Sequence, residues 1–360
     1  ARPAGCAPNE AKIPYARQVA MEPITHALAS FAAARATQRR LPRFGAAMFV
    51  AAGVAPDLDL AGYFGGASAY LRFHRAALHG VLGGAALACA VAAAFCWADR
   101  KYPAKNRAVG KLRFAAAVAV CFAGVGLHVA LDLLSGVGVN LLWPLRTHWY
   151  GVPLETNLDP WLLIILIAGI LLPELFRLVG DEIGERKKTP RGRVAAIVTL
   201  VLVAFCFGVR AELHAQAHAL LMSREYHGRA PVDVQAYPES ATPFAWRGVV
   251  ATEETLEEIE VDVGPGDDFD PERSETHFKP ADSPALDLGE QTEAAKIFLA
   301  YAQFPLASVV QSDDGYRLTL RDLRFAKDDA GPDNIIVKAE FDSALRLQAE
   351  ALAFPSPHGR

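Results

Sequence analysis

The stretch Gly126–Leu145, GLHVALDLLSGVGVNLLWPL, is the feature around which the rest of the sequence is organised. It ends a long apolar run, yet it contains His128 and Asp132. Their i, i+4 spacing places an imidazole and a carboxylate on one face of a helix, one turn apart. Ionisable groups inside an apolar segment face a polar cavity or a polar partner, because exposing them to lipid is costly. We therefore expect this pair to form one wall of a metal site, with further ligands from other apolar segments.

Composition divides the chain into two parts. Of its 360 residues, 52% are hydrophobic and only 21% are charged, and the apolar runs fall before about residue 215. The composition predicts an α-helical multi-pass membrane domain over 21–215, followed by a small β-rich α+β soluble domain over 216–360. Residues 1–20 lack the apolar core of a signal peptide, and Met21 is a more natural start, so we interpret 1–20 as a non-native or disordered extension.

Charge and cysteine content exclude some classes of function. The net charge is −4, and no basic excess indicates a nucleic-acid partner. The five cysteines include no CxxC motif, and four of them lie inside apolar runs, which is typical of small core side chains.

Six hydrophobic segments can be drawn, of which the first two are short. A membrane-spanning helix needs about 20 apolar residues, and the last four segments reach that length. The first two are expected to form a tight hairpin or a re-entrant pair shielded by the others. The segments are 24–38, 44–56, 76–98, 114–134, 160–179 and 194–213.

The basic residues between these segments predict the orientation of the chain in the membrane. Sixteen lie in one set of connections and three in the opposite set. Basic loops stay on the cytoplasmic side, so both termini and residues 216–360 should be extracytoplasmic. The sixteen are Arg35, Arg39, Arg40, Arg43, Arg100, Lys101, Lys105, Arg107, Lys111, Arg113, Arg177, Arg186, Lys187, Lys188, Arg191 and Arg193; the three are Arg72, Arg75 and Arg146.

Seven candidate metal ligands fall on the outer side of this topology, which was derived without using them. They are His26, Asp57, Asp59, His74, His79, His128 and Asp132. Imidazole and carboxylate are the ligands of hydrolytic zinc, manganese and iron sites, and zinc or manganese is the expected ion here. Three or four such groups hold one ion, and six or seven are enough for two. A lone buried histidine is more often a hydrogen-bonded core residue, so the metal interpretation rests on the convergence of all seven.

The sequence does not assign individual roles within the cluster. Asp57 and Asp59 would give one bridging or terminal carboxylate and one group that orients a ligand. His128 and Asp132 would be co-ligands, or Asp132 would orient a histidine. Asp59 and Asp132 are the candidate catalytic carboxylates.

Beyond residue 216, alternation at period two predicts strands, and 290–302 fits a helix. Asp313-Asp-Gly315 is a good turn. The predicted strands are 245–252, 257–263, 316–321 and 334–341.

Four motifs together resemble the YdjM-type family, bacterial inner-membrane proteins described as LexA-binding or as metal-dependent hydrolases. The resemblance covers about 22–160 and implies a multi-pass protein of the bacterial inner membrane with a hydrolase site built from these His and Asp residues. The third motif departs from the family pattern, with Ala77-Leu-His79 where a Thr-His-Ser is expected. The motifs are Pro23-Ile-Thr-His-Ala-Leu28, Ala55-Pro-Asp-Leu-Asp59, His74-Arg-Ala-Ala-Leu-His79, and His128-Val-Ala-Leu-Asp132 followed by Ser135-Gly-Val-Gly-Val and Trp143-Pro144.

The sequence is compatible with three functions. The first is a membrane-bound metal-dependent hydrolase acting on an ester or phosphoester near the lipid surface, with membrane lipid as a partner. The second is a cation or proton transporter, which requires acidic groups spread toward both membrane faces. The third is a non-enzymatic scaffold that binds a protein partner through 216–360.

Overall fold

The structure is a computed structural model, and it describes residues 22–103, 111–156, 159–182, 191–239, 242–264, 269–325 and 333–354. A helical region comes first and a β-rich region follows, which confirms the predicted fold class. The extension assigned to residues 1–20 lies outside the described residues.

The described part of the helical region contains seven α-helices. They are α1 Glu22–Thr37, α2 Gly45–Val54, α3 Ala67–Phe73, α4 Val81–Lys101, α5 Phe114–Asp132, α6 Pro160–Glu182 and α7 Arg191–Met222. Helix α2 continues directly into a 3-10 helix, Ala55–Gly65, and a short 3-10 turn, Gln38–Arg40, follows α1.

Four helical stretches in the described ranges are long and apolar enough to cross a membrane: Gly45–Gly65, Val81–Lys101, Phe114–Asp132 and Gly192–Met222. The first differs from the prediction of a short segment, because Pro56, in the first turn of the 3-10 helix, does not end the helical path. Helix α6 covers the predicted segment 160–179, and its apolar stretch among the described side chains is Pro160–Phe176. Large apolar side chains on α6 and α7, such as Ile164 and Phe205, are exposed as lipid-facing residues would be.

The helical bundle has two chemically different ends. Helix α4 runs from the neighbourhood of His79 to Asp99, and α5 returns from Phe114 to Asp132. At about 1.5 Å per residue, each helix separates its ends by roughly 30 Å. We call the end with His79 and Asp132 the site end. The opposite end, where α1, α4 and α6 end and α2, α5 and α7 begin, is the basic end.

Helices α2 and α5 approach unusually closely because glycine lies at their contact. A Cβ on Gly124 would stand 2.6 Å from the Phe49 carbonyl oxygen and 3.1 Å from the Gly53 nitrogen. A Cβ on Gly53 would stand 3.5 Å from the Gly124 carbonyl oxygen, and also 2.0 Å from Ser30 Oγ on α1. Met48, Ala52 and Cys121, all buried, surround this contact. The absence of side chains at the two glycines therefore lets the backbone of α2 reach the face of α5 that carries His128.

The β-rich region consists of two four-stranded antiparallel sheets with two short helices. The strands are β1 Asp233–Pro238, β2 Ala245–Ala251, β3 Thr255–Asp262, β4 Glu275–Phe278, β5 Pro305–Ser312, β6 Gly315–Asp322, β7 Ile336–Asp342 and β8 Leu347–Ala353; the helices are α8 Pro284–Glu290 and α9 Glu293–Leu299. The strand orders in the two sheets are β1-β2-β3-β4 and β5-β6-β7-β8. The predicted strands correspond to β2, β3, β6 and β7, and the predicted helix to α9, while Asp313 and Asp314 turn the chain from β5 into β6.

Each sheet packs against the helical region. The first buries Trp246 against Leu221 near the end of α7. The second shares one core with Tyr70 and with Val137 from the loop after α5. The buried guanidinium of Arg324 donates to the Val137 carbonyl at 3.3 Å, so the β-rich region rests on the site end of the bundle.

Candidate metal centre

All seven predicted ligands are buried at the site end, and the side chains of five converge. Two groups of three have ligand atoms within 4.8 Å of one another and can hold a metal ion. The two groups share His128 and therefore form one continuous cluster. The first group is His26, His128 and Asp132, and the second is Asp57, His79 and His128.

The tautomers of His79 and His128 are fixed by the partners of their Nδ1 atoms. His79 Nδ1 lies 2.8 Å from the Asp59 carboxylate, and His128 Nδ1 lies 2.8 Å from the Gly53 carbonyl. Both partners can only accept, so each Nδ1 carries the hydrogen in the neutral ring. The Nε2 of each ring therefore presents a lone pair, which is the usual state of a metal-binding histidine.

These two Nε2 atoms face each other. They are 3.0 Å apart, and they lie 3.0 Å (His79) and 3.2 Å (His128) from Asp132 Oδ2. His26 Nε2 is 3.1 Å from the other oxygen of Asp132, and its ring stacks on His128 at 3.8 Å. Two lone pairs at this distance repel unless a proton or a cation lies between them. Two nitrogens on one tetrahedral zinc ion at about 2.0–2.1 Å are about 3.3 Å apart, so the spacing suits a metal.

Asp57 and Asp59 point to different parts of the cluster. Asp57 Oδ1 lies 3.5 Å from His128 Nε2, whereas Asp59 bonds His74 Nδ1 at 2.9 Å and His79 Nδ1 at 2.8 Å. In a 3-10 helix each residue turns by about 120°, so positions two apart diverge. Asp57 is thus placed beside the Nε2 atoms, and Asp59 is placed where it orients two rings.

His74 lies outside the two converging groups. Its Nε2 is buried without a hydrogen-bond partner among the described residues, and its ring stacks on Tyr70 at 4.5 Å. Tyr70 in turn donates to Asp333 of the β-rich region at 2.9 Å. His74 is therefore the point at which that region adjoins the cluster.

The sequence interpretation missed Arg75, which it counted only as an outer basic residue. Arg75 is fully buried, bonds Ser135 Oγ, and places Nη2 3.6 Å from Asp132 Oδ1. Its φ of 52° is left-handed, which costs a residue with a side chain about 1–2 kcal/mol. The sequence did contain one indication of this role, because Arg75 lies between two candidate ligand histidines in His74-Arg-Ala-Ala-Leu-His79.

The cluster is electrostatically short of positive charge. Among the residues that the structure describes, the carboxylates of Asp57, Asp59 and Asp132 share the cluster with one guanidinium, that of Arg75. Burial alone would lower the pKa of His79, but Asp132 and Asp59 outweigh it and raise that pKa to about 10. Without a metal, the site therefore holds a proton firmly, and a divalent cation supplies the same compensation.

The fold and the cluster together define the class: a multi-pass membrane protein with a buried His/Asp group able to hold a metal ion. The chain belongs to the YdjM inner membrane protein family, whose family model matches residues 21–216. No curated protein and no solved structure matches the chain significantly.

Proposed function

We propose that the chain is a metal-dependent hydrolase of the inner membrane, acting on an ester or phosphoester near the lipid surface. The observation that carries this proposal is the opposed pair of Nε2 atoms, 3.0 Å apart, of His79 and His128. Both Nδ1 atoms already donate to acceptors, so both Nε2 atoms offer lone pairs that can bind a cation. Zinc or manganese suits the His/Asp donor set.

Each residue has a distinct role in this proposal. His26, His79, His128, Asp57 and Asp132 would hold the ion, and Asp59 would orient His79 while the Gly53 carbonyl orients His128. A bound zinc or manganese ion lowers the pKa of water and polarises a carbonyl or phosphoryl oxygen. Asp132, which lies against three histidines, is the candidate catalytic carboxylate that exchanges a proton with substrate or water.

The orientation of the chain is part of the proposal. The basic end would be cytoplasmic by the distribution of Lys and Arg, and the site end with the β-rich region extracytoplasmic. The substrate would then reach the site from the outer membrane–water interface. Fusing alkaline phosphatase or a fluorescent protein after residue 360 tests this: we expect phosphatase activity and no fluorescence.

Metal analysis of detergent-purified protein tests the proposed function. We expect near-stoichiometric zinc or manganese in the wild-type chain and loss of metal in the variants His79→Ala and Asp132→Ala. His148→Ala is a matched control, because His148 is exposed and belongs to neither converging group. Undiminished metal in the Asp132 variant, or no metal in the wild-type chain, would contradict the proposal.

The two other functions predict different observations. Transport predicts ion flux in proteoliposomes, and its loss in the Asp132 variant would favour that function. A scaffold predicts a protein partner that binds residues 216–360 and is indifferent to metal. Neither has an observation in its favour comparable to the opposed histidine nitrogens.

A further inference from the structure

An open cavity lies between the helical region and the β-rich region, next to the metal cluster but outside it. Its volume is about 450 Å³, which falls within the roughly 300–1,000 Å³ of small-molecule sites. Phe73 and Ala76 line it. His74 and Arg75, between them in the chain, turn toward the metal cluster instead. The cavity therefore has room for a ligand of its own.

Aromatic side chains form most of the cavity walls. The rings of Trp149 and Tyr301 pack edge to face with centroids 5.1 Å apart, and those of Phe73 and Trp143 do so at 6.4 Å. Ile297 adds an aliphatic side chain from α9. Such walls bind the apolar part of a ligand.

The cavity adjoins the apolar surface on which α4 begins. The Val81 amide donates to the Leu141 carbonyl at 2.9 Å, so the loop that carries Trp143 lies beside the first residue of a helix long enough to span a membrane. Tryptophan is typical of the membrane–water interface. An apolar chain would pass from the bilayer into the cavity along exposed apolar side chains, which are Phe73, Val81, Leu82 and Leu145.

Asn140 supplies a polar group to this apolar cavity. Its side chain is buried, and Oδ1 has no hydrogen-bond partner among the described residues. Its backbone groups are used, since the amide donates to the Arg75 carbonyl and the carbonyl accepts from the Trp143 amide. A buried acceptor without a donor is unfavourable, so a matching ligand carries a donor beside its apolar chain. The glycerol of a diacyl lipid offers only ester oxygens, whereas that of a lysolipid has a free hydroxyl.

We propose that this cavity binds a lysophospholipid, with its single acyl chain between the aromatic side chains and its glycerol hydroxyl donating to Asn140 Oδ1. Arg72 and Glu293 also line the cavity, where they pair with each other and are exposed. A zwitterionic headgroup offers a phosphate to Arg72 and an ammonium to Glu293, so its charges match this pair. The inference goes beyond the proposed function and does not depend on it, since none of the proposed metal ligands lines the cavity.

Photolabelling of the full chain in an uncharged detergent, with a lysophosphatidylethanolamine that carries a diazirine in its acyl chain, tests this inference. We expect label on 297–301 as well as on the apolar spans. Label on 297–301 is diagnostic, because this segment belongs to the β-rich region and not to a span. Ala300→Trp fills the cavity from an exposed position and should remove that label while α7 stays labelled. Ala349→Trp is the matched control, because Ala349 is exposed on β8 and lies outside the lining; its labelling should be unchanged.

Competition tests the hydrogen bond to Asn140. Unlabelled lysophosphatidylethanolamine should displace the probe roughly tenfold better than its 2-O-methyl ether, which lacks the hydroxyl hydrogen. In Asn140→Ala the two competitors should be equal. Equal competition in the wild-type chain, which needs no variant to fold, overturns the assignment of the hydroxyl.

Other outcomes overturn the lipid site itself. These are a wild-type chain without label on 297–301, label there that persists in Ala300→Trp, and equal labelling of 297–301 by a diacyl probe with the same diazirine chain. EDTA treatment should leave the labelling unchanged. Absence of metal from the wild-type chain therefore contradicts the proposed function without affecting this inference, so the two failures are distinguishable.

Discussion

The helical bundle contains buried carboxylates at both ends, and the two ends compensate them differently. At the basic end, Asp99 pairs with Arg43 and also accepts the Leu112 amide at 2.9 Å. At the site end, Asp132 lies among three histidine Nε2 atoms, while the nearest arginine nitrogen is 3.6 Å away. Asp99 and Asp132 both lie at the ends of long apolar helices and both are buried, so burial alone does not explain why their partners differ.

The two ends differ in whether the positive charge beside the carboxylate is permanent. An arginine is charged at every physiological pH, so the Arg43–Asp99 pair is complete within the chain. Histidine gains its charge only with a proton, and with a metal ion it contributes a neutral nitrogen ligand. The basic end is therefore a fixed structural contact, whereas the site end needs an exchangeable cation.

Metal removal should produce the largest effect. A ligand that binds only the folded chain stabilises it by about 4 kcal/mol at a free concentration of 1,000 times its Kd. EDTA should therefore lower the Tm of the wild-type protein in detergent, as measured by differential scanning fluorimetry. In Asp132→Asn the metal-dependent difference in Tm should vanish. In Asp99→Asn both Tm values should fall while the difference persists. If EDTA still lowers the Tm of Asp132→Asn, the distinction between an exchangeable cation at the site end and a fixed ion pair at the basic end is wrong.

Asp59→Asn should weaken metal binding without abolishing it. Loss of a carboxylate that orients a ligand histidine typically costs 10–100-fold in metal affinity. Asparagine can still accept one hydrogen bond from His74 or His79, but it adds no charge. Competition with a chromophoric chelator measures the affinity, and His79→Ala should lose far more.

Glu174→Gln is the control for Asp59→Asn. Glu174 lies at the basic end, where it pairs with Arg35 at 2.7 Å, and it is far from the cluster. Its metal affinity should be unchanged. Complete loss of metal in Asp59→Asn would make Asp59 a direct ligand.

Several features followed from the sequence because they depend on local pattern. The i, i+4 pair His128 and Asp132 needed only helical periodicity, and the apolar lengths gave the spans Val81–Lys101, Phe114–Asp132 and Gly192–Met222 but not Gly45–Gly65. The alternation of Tyr316–Arg321 gave a strand because Leu318 and Leu320 on one face are buried, whereas the other face is exposed or half-buried. Basic residues marked one end of the bundle, and the structure brings Arg35 to Glu174 and Arg193 to the Ala36 carbonyl at that end.

Other features depend on contacts between distant segments and leave no local pattern. Gly53 accepts from His128 across 75 positions, and Tyr70 bonds Asp333 across 263. The different directions of Asp57 and Asp59 follow from a 3-10 helix, which their spacing alone does not indicate. Strand β8 was missed because its residues are mostly exposed and lack a buried alternate face.

Gly124→Ala tests whether close helix packing holds the site end in shape, and its effect on metal should be the smallest of the three. The added methyl would stand 2.6 Å from the Phe49 carbonyl, so α2 and α5 must separate. Overpacking of this kind costs about 1–3 kcal/mol, and the shift would draw the Gly53 carbonyl away from His128 Nδ1. We expect a lower Tm and a modest loss of metal affinity. Gly126→Ala on the same helix is the control, because nothing lies within 4 Å of its added Cβ, and alanine there should leave metal affinity unchanged. Equal behaviour of the two variants would mean that His128 is oriented without help from α2.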